Sequence, residues 1–256
     1  MSKQFSARVL PGVPHVQPGD DLFTVCVDAI TAAGVVPSSG DVLVLAQKIV
    51  SKSEGRYAIL DEVIPSAEAL AWAEKVDKDP RLVELILSES VEVVRHRPGV
   101  MIVQHRLGYV HANAGIDRSN ITAAEDGREQ VLLLPVNSDA SAATLRQRLQ
   151  QHYDCDIKIV IADSAGRAWR NGITGMTIGS AGFAPVQDQI GAEDLYGRPL
   201  EVTTIAVADE ISCAASLLMG QGNQSAPLVL ISGLELTTAD CGSETLIRDK
   251  QADLFR

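Results

Sequence analysis

The sequence contains few aromatic residues and few cysteines, and each scarcity excludes a class of protein. Phe, Trp and Tyr make up 4% of the 256 residues, which disfavours a surface that stacks the bases of single-stranded nucleic acid. The four cysteines lie far apart and form no Cys-x-x-Cys pair, so neither a zinc ribbon nor a disulfide scaffold is indicated. We therefore expect reduced thiols in a cytoplasmic protein.

Long apolar runs and an excess of positive charge are also missing. The first eight residues contain no apolar core of a secretory signal, and no apolar run approaches the roughly 18 residues of a membrane-spanning helix. The 22 Lys and Arg residues against 33 Asp and Glu residues give a net charge of −11, which disfavours general binding to a nucleic-acid backbone. A single nucleotide can still bind where a metal ion or local cations offset this charge. We expect binding to neither nucleic acid nor membrane.

The composition is otherwise that of a globular protein, with 46% hydrophobic and 21% charged residues. Strand-like and helix-like segments alternate, which predicts an α/β or α+β fold with a mixed sheet. The polar stretch 121–130 is predicted to be a surface loop, and the C-terminal tail is compatible with a helix. Predicted strands cover 5–10, 41–46, 91–94, 101–104, 109–111, 131–134, 157–162, 200–207 and 227–232, and predicted helices cover 22–33, 66–76, 141–151, 208–219 and a segment from Pro80.

Asp163 and Ser164 directly follow the predicted buried strand 157–162. Carboxylate and hydroxyl oxygens suit Mg²⁺ or Mn²⁺, and open sheets expose their sites at strand ends. A helix cap or a turn is the commoner role of a single such aspartate. Arg167 and Arg170 nearby suit a phosphate or simply a solvated turn.

Two further polar segments are candidates for the same site. In the segment 112–120, Asp117 is a candidate second metal ligand, and Asn120 is suited either to reading a nucleotide or to an Asx-turn. Lys48 and Lys52 lie near the end of the strand 41–46 and suit a polyphosphate, although two solvated lysines are the commoner explanation.

The loop from Met219 to Ala226 carries Gly220 and Gly222, which allow backbone N–H groups to approach a phosphate or a ring. It matches neither a Walker A nor a Gly-x-Gly-x-x-Gly motif. The five histidines show no His-x-x-x-His spacing, so a zinc triad is not indicated. His105 and His111 lie on neighbouring predicted strands. Their side chains are expected either to contact each other or to be ordinary residues on the strand surface.

Eight short motifs in a fixed order resemble one family. The chain is similar, over about residues 8–235, to the coenzyme F-420:L-glutamate ligases, the γ-glutamyl ligases of deazaflavin cofactor synthesis. Each motif alone is loose, whereas the ordered set is specific. The motifs are Leu10-Pro-Gly-Val13, the stretch 40–55, Asn113-Ala-Gly-Ile-Asp-Arg-Ser-Asn120, Leu132-Leu-Leu-Pro135, Asp163-Ser-Ala-Gly-Arg-Ala-Trp-Arg170, Asp194-Leu-Tyr-Gly-Arg198, Ala208-Asp-Glu210 and Leu218-Met-Gly220.

The resemblance implies an acid–amino-acid ligase that joins L-glutamate to the F-420 precursor through an amide bond. GTP, hydrolysed to GDP and phosphate, would drive the step, with Mg²⁺ or Mn²⁺ and in some members K⁺. Because a free carboxylate needs activation to form an amide, we expect an acyl phosphate as the intermediate. The resemblance also implies an intertwined homodimer whose subunits have two subdomains. We expect residues 1–256 to form one catalytic unit without an added flavin-reductase domain.

The resemblance also assigns residues by motif position. Asp117, Asp163 and Lys52 would be catalytic, and the metal ligands would be Asp117, Asp163, Ser164 and Gln221. The nucleotide contacts would be Leu10, Pro11, Gly12, Val13, Gln47, Lys48, Lys52, Asn120, Met219, Gly220, Gln221, Gly222, Asn223, Gln224, Ser225 and Ala226.

Two positions depart from the family pattern. Gln221 stands where Glu is common, which removes one negative charge from the metal site. Gln47 and Lys48 replace small hydroxyl residues that would contact guanine. Two alternatives stay open. One is the same ligase chemistry on another carboxylate acceptor, because motifs do not locate the residues that read the acceptor. The other, suggested by Gln221, is a nucleotide-binding homologue with weakened catalysis.

Overall fold

The computed structural model describes residues 4–255. No helix in this range is both long and apolar enough to cross a membrane. The strands are β1 (Ser6–Val9), β2 (Val42–Ala46), β3 (Tyr57–Ile59), β4 (Ser90–Arg97), β5 (Val100–His105), β6 (Val110–Ala112), β7 (Gln130–Leu132), β8 (Lys158–Arg167), β9 (Arg170–Ala181), β10 (Gln187–Asp188), β11 (Thr204–Ile205) and β12 (Leu228–Ser232). The α-helices are α1 (Leu22–Ala32), α2 (Gln47–Ser53), α3 (Ala67–Val76), α4 (Pro80–Ser88), α5 (Ser138–Tyr153) and α6 (Val207–Met219).

A five-stranded mixed sheet forms the centre of the fold, in the order β1-β12-β2-β8-β9. β2 and β8 pair in parallel, and the other neighbours are antiparallel. The apolar run of β2 is buried over Val42–Leu45, as expected for a strand with both faces covered. These elements confirm the predicted α/β class with a mixed sheet.

Helices cover both faces of this sheet. One face packs against α1 and α5, with Ile30 and Leu149 in the same core as Leu43. The other face packs against α6, whose Ile211 and Ala215 lie in a second core with Val44 and Val160. The contact between α6 and β9 is very close, because a Cβ atom on Gly175 would lie 2.2 Å from the carbonyl oxygen of Ser212.

The strand directions place several chain segments at one edge of the sheet. The carboxyl ends of β1 and β2 meet there with the amino end of β12 and the middle of β8. Leu10 N–H donates to the Leu228 carbonyl at 3.0 Å, and Ala46 N–H donates to the Pro227 carbonyl at 2.8 Å. Ala46 lies opposite Ala162, so the residues that follow β2 start beside the middle of β8.

A separate core lies between α3, α4 and the antiparallel meander β4-β5-β6. Ser66 caps α3 by accepting from Ala69 N–H at 3.1 Å, and Asp79 caps α4, which begins with Pro80. Both signals are typical of helix starts. The predicted strands 91–94, 101–104 and 109–111 are confirmed as the strands of this meander, and the division into two subdomains stays a prediction.

Glu89 joins this second core to the rest of the chain. Its carboxylate lies 3.0 Å from Arg56 and from Arg106, and 3.4 Å from Nε2 of His105. Arg56 also donates to the Leu134 carbonyl at 2.8 Å. Burial raises the pKa of Glu89, but its hydrogen bonds with His105, Arg56 and Arg106 and the charge of Arg56 outweigh burial and lower the pKa to about 2.

Glu89→Gln is therefore expected to lower stability in a pH-dependent way. Because the folded-state pKa lies below the ordinary value of 4.5, the stabilisation is present above about pH 4.5 and is lost as the pH falls towards 2. We expect a loss on the order of 2–3 kcal/mol at pH 7 in urea unfolding, shrinking below pH 4.5. Glu74→Gln, an exposed position on α3, is the control. A loss of equal size at pH 7 and pH 3 would contradict the assignment.

Some predicted elements differ from the structure. The segment 47–53 is a helix that the sequence pattern did not predict, because seven residues are too few to show a clear period. The predicted strand 157–162 extends through Arg167, and the glycine-rich segment 170–181 is its antiparallel partner. The predicted strand 200–207 is wrong, since only Thr204–Ile205 pair there. The tail contains two short 3₁₀ turns, at Ser243–Leu246 and Lys250–Ala252, and no α-helix within the described residues.

Candidate functional site

Two aspartates from distant parts of the chain converge beside the strand-end edge of the central sheet. Asp163 lies within β8, and its side chain is 11% exposed. Asp117 is fixed by two backbone hydrogen bonds to Leu132, of 2.9 and 3.0 Å. The two carboxylates are close enough that the charge of Asp163 raises the pKa of Asp117. Remote segments thus supply two carboxylates to one place.

The first turn of α2 supplies the partners of Asp117. Nζ of Lys48 lies 2.5 Å from Oδ2 of Asp117, and Nε2 of Gln47 donates to the same oxygen at 2.6 Å. Gln47 is held in turn by Ser51, whose hydroxyl donates to its Oε1 at 2.9 Å. Burial raises the pKa of Asp117, the charge of Lys48 lowers it and that of Asp163 raises it, and the net direction is upward. The ionised form of Asp117 is therefore costly without a further cation.

The turn before Asp117 has left-handed backbone conformations and is tightly packed. Asn113, Ala114 and Gly115 have φ angles of +50°, +54° and +67°, which lie in the left-handed region. Asn113 Oδ1 accepts from Met101 N–H at 3.1 Å. A Cβ atom on Gly115 would lie 2.5 Å from Cδ1 of Leu134, so a larger residue does not fit without displacing that side chain. The turn therefore fixes the position of Asp117.

Lys52 and Asn120 connect three of the predicted nucleotide-binding segments. Nζ of Lys52 donates to the Asn120 carbonyl at 2.9 Å, and Nδ2 of Asn120 donates to the Gly222 carbonyl at 3.2 Å. Burial lowers the pKa of Lys52, Lys48 lowers it further, and Asp117 acts in the opposite direction. Helix α2, the segment around Asn120 and the loop after α6 therefore lie together.

The remaining predicted nucleotide contacts lie at the same edge but do not reach the aspartates by hydrogen bonds. Leu10 is buried in the core, so its side chain is used for packing, while Pro11 and Gly12 are exposed and Val13 packs partly against the core. In the loop after α6, Gly222 N–H donates to Oε1 of Gln224 at 2.8 Å. The other predicted nucleotide contacts in this region are Met219, the last residue of α6, and the loop residues Gly220, Asn223, Ser225 and Ala226.

Two predicted metal ligands are not brought to the aspartates within the described chain. Ser164 pairs with Gly175, which faces α6, so the Ser164 side chain lies on the opposite face of the sheet from Asp163. Nε2 of Gln221 donates to the hydroxyl of Ser216 in α6 at 3.3 Å. The assignment of both as ligands stays a prediction, as does a phosphate role for Arg167 and Arg170, which are exposed at the β8–β9 hairpin.

The chemistry of the cluster fits a divalent cation. Its donors are carboxylate oxygens, which hard cations such as Mg²⁺ and Mn²⁺ prefer. The chain already places one cationic group, the ammonium of Lys48, against Asp117. Residues 4–255 contain no group of three or more His, Cys, Asp and Glu side chains arranged to bind a metal, so a cation here also needs ligands such as phosphate oxygens or water.

The structure adds His111 to the site, a histidine for which the sequence indicated no contact with either aspartate. Nε2 of His111 lies 3.0 Å from Oδ2 of Asp163, and its Nδ1 lies 3.2 Å from the carbonyl oxygen of Ala112. Burial lowers the pKa of His111, but the hydrogen bond and charge of Asp163 raise it above the usual histidine value. The two residues are 52 positions apart, and no local motif signals their contact.

Comparisons with known proteins agree on one family. The family model described as F420-0:Gamma-glutamyl ligase matches residues 12–233. The coenzyme F420:L-glutamate ligase of Methanothermobacter thermautotrophicus is 42% identical over 247 residues, which cover 96% of each chain. The protein of the same name from Methanopyrus kandleri is 40% identical over 94% of this chain and 93% of its own length. The Archaeoglobus fulgidus ligase is 38% identical over 96% of this chain and 94% of its own.

Proposed function

Because the chain belongs to the F420-0:gamma-glutamyl ligase family, we propose that it adds L-glutamate to the deazaflavin precursor of coenzyme F420. The bond formed is an amide between the glutamate α-amino group and a terminal carboxylate of the precursor. The observation that carries the proposal is that Asp117, held by Gln47 and Lys48 of α2, lies near Asp163 of β8, because Ala46 before α2 pairs with Ala162. This combination of charges suits a metal-bound triphosphate.

GTP is the proposed phosphoryl donor. Lys48 and Lys52 lie on one helix at the site and offset the negative charge of the β- and γ-phosphates, which matters because phosphoryl transfer depends chiefly on charge neutralisation and positioning. The segment around Asn120 lies against Lys52, and the loop through Gly222 lies against Asn120. They are the proposed walls of the nucleotide site.

Asp117 and Asp163 are the proposed ligands of Mg²⁺ or Mn²⁺. Such a cation, when bound, neutralises phosphate charge during the transfer. The two carboxylates in turn lose the mutual repulsion that raises the pKa of Asp117. Without the cation, the ammonium of Lys48 partly neutralises the charge of Asp117.

The proposed reaction has two steps. An oxygen of the precursor carboxylate attacks the γ-phosphorus of GTP, the bond to the β-phosphate oxygen breaks, and GDP leaves. The α-amino nitrogen of glutamate then attacks the acyl carbon, inorganic phosphate leaves, and the amine loses a proton. The first step is needed because a free carboxylate does not form an amide with an amine in water.

Two further features are proposed from the family resemblance. K⁺ acts as an activator, and two copies of the chain form the working homodimer. Rates measured with K⁺ replaced by Na⁺, and the mass of the protein in solution by light scattering, test these two features separately from the reaction.

Mass spectrometry of the precursor after incubation with glutamate, GTP and Mn²⁺ tests the function. We expect a gain of one or more glutamyl units and one GDP for each amide formed. Replacement of the precursor by other carboxylic acids, and of GTP by ATP, defines the acceptor and the nucleotide. Turnover only with another acceptor would show that the proposed substrate is wrong. Nucleotide binding without any phosphate release would show that the protein is a nucleotide-binding protein and not a ligase.

A further inference from the structure

His111 is a buried side chain that the predicted site does not use. It lies in β6, only 8% of its side chain is exposed, and Nε2 faces Oδ2 of Asp163 at 3.0 Å. We propose that His111 is a positioning residue that holds the Asp163 carboxylate in the orientation in which it binds the divalent cation. This inference rests on the metal site proposed above.

The hydrogen bond fixes one oxygen of Asp163 and leaves the other available. Within residues 4–255, Oδ1 of Asp163 accepts no hydrogen bond, whereas Oδ2 is held by the imidazole. The imidazole is itself held by the Ala112 carbonyl at 3.2 Å from Nδ1. A ligand carboxylate fixed in this way presents its second oxygen in a defined direction, and loss of such an outer partner typically weakens metal binding.

The same short segment positions both carboxylates. His111 pairs with Val103 in the meander, and six residues later the chain reaches Asp117 through the left-handed turn at Asn113–Gly115. The hydrogen bond to Asp163 therefore links the segment that carries Asp117 to strand β8. The separation of the two aspartates depends on this link between the meander and the central sheet.

A matched pair of variants separates the two hydrogen bonds of the imidazole. The amide of His111→Asn can replace Nδ1 at the Ala112 carbonyl but does not reach Asp163, whereas that of His111→Gln can replace Nε2. We expect His111→Asn to raise the Kd for Mn²⁺ alone, measured from the free-Mn²⁺ EPR signal, by about 10–100-fold. His111→Gln is expected to restore most of the affinity.

The controls distinguish failure of this inference from failure of the metal site. Asp163→Asn is expected to weaken Mn²⁺ binding at least as much as His111→Asn. His105→Asn removes another buried histidine, which contacts Glu89 instead, and is expected to lower the melting temperature without changing the Kd. Normal Mn²⁺ affinity in His111→Asn with weak binding in Asp163→Asn would overturn the positioning role alone. Normal Mn²⁺ affinity in both variants would overturn the metal site. If His111 is a positioning residue, the kcat of His111→Asn at saturating Mn²⁺ should be near that of the parent.

Discussion

Asp117→Asn is expected to reduce ligase turnover by at least about a thousandfold, equivalent to about 4 kcal/mol of transition-state stabilisation. The substitution keeps the shape of the side chain but removes its negative charge, which pairs with Lys48 and would bind the proposed cation. Stability is expected to stay equal or to rise slightly, because burial and the charge of Asp163 raise the pKa of Asp117 and so disfavour its ionised form. Turnover by mass spectrometry and unfolding by calorimetry measure the two effects.

Asp28→Asn is the matched control for this prediction. Asp28 is exposed on α1, away from the described contacts of the cluster. Its replacement removes the same charge from the chain and should leave turnover unchanged. If Asp117→Asn kept turnover within a few-fold of the parent, or if both variants lost activity equally, Asp117 would not be part of the reaction centre.

Gly175→Ala is expected to cause the largest loss of stability, about 3 kcal/mol, since overpacking at a rigid contact is costly. The added Cβ would lie 2.2 Å from the oxygen of Ser212 and 2.8 Å from the nitrogen of Cys213. Both are backbone atoms of α6, so relief requires the helix to move away from β9. We expect the melting temperature to fall by roughly 10 °C in calorimetry.

Gly166→Ala provides the control in the same pair of strands. A Cβ at Gly166 would meet no atom within 4 Å, and its φ is not in the left-handed region. Its stability should stay within about 0.5 kcal/mol of the parent, as for ordinary surface substitutions. A normal melting temperature for Gly175→Ala would mean that α6 does not pack this closely on β9.

Local signals predicted the elements that carry complete patterns. The apolar run of β2 and the proline at the start of α4 each gave an element that the structure confirms. The segment 200–207 also looked like a strand, but a strand needs a neighbour, and only Thr204–Ile205 pair, with Gln187–Asp188. Pairing partners are not encoded in local periodicity.

The site shows the same division between local and long-range information. Residue type and motif order indicated Asp117, Asp163 and Lys52 as candidates. The partner of His111 depends on how β6 packs beside β8, 52 residues later, and the orientation of Ser164 depends on its register with Gly175. Neither follows from spacing, because both are set by the packing of whole elements.

The position of β12 has a consequence for synthesis on the ribosome. β12 is the last strand of the central sheet along the chain, yet it lies between β1 and β2. The first two strands therefore have no neighbour on that side until residues 228–232 have emerged, and such unpaired edges favour aggregation. Arrested or prematurely terminated chains that stop before this strand should consequently depend on chaperones and lack the loop arrangement around Gly222.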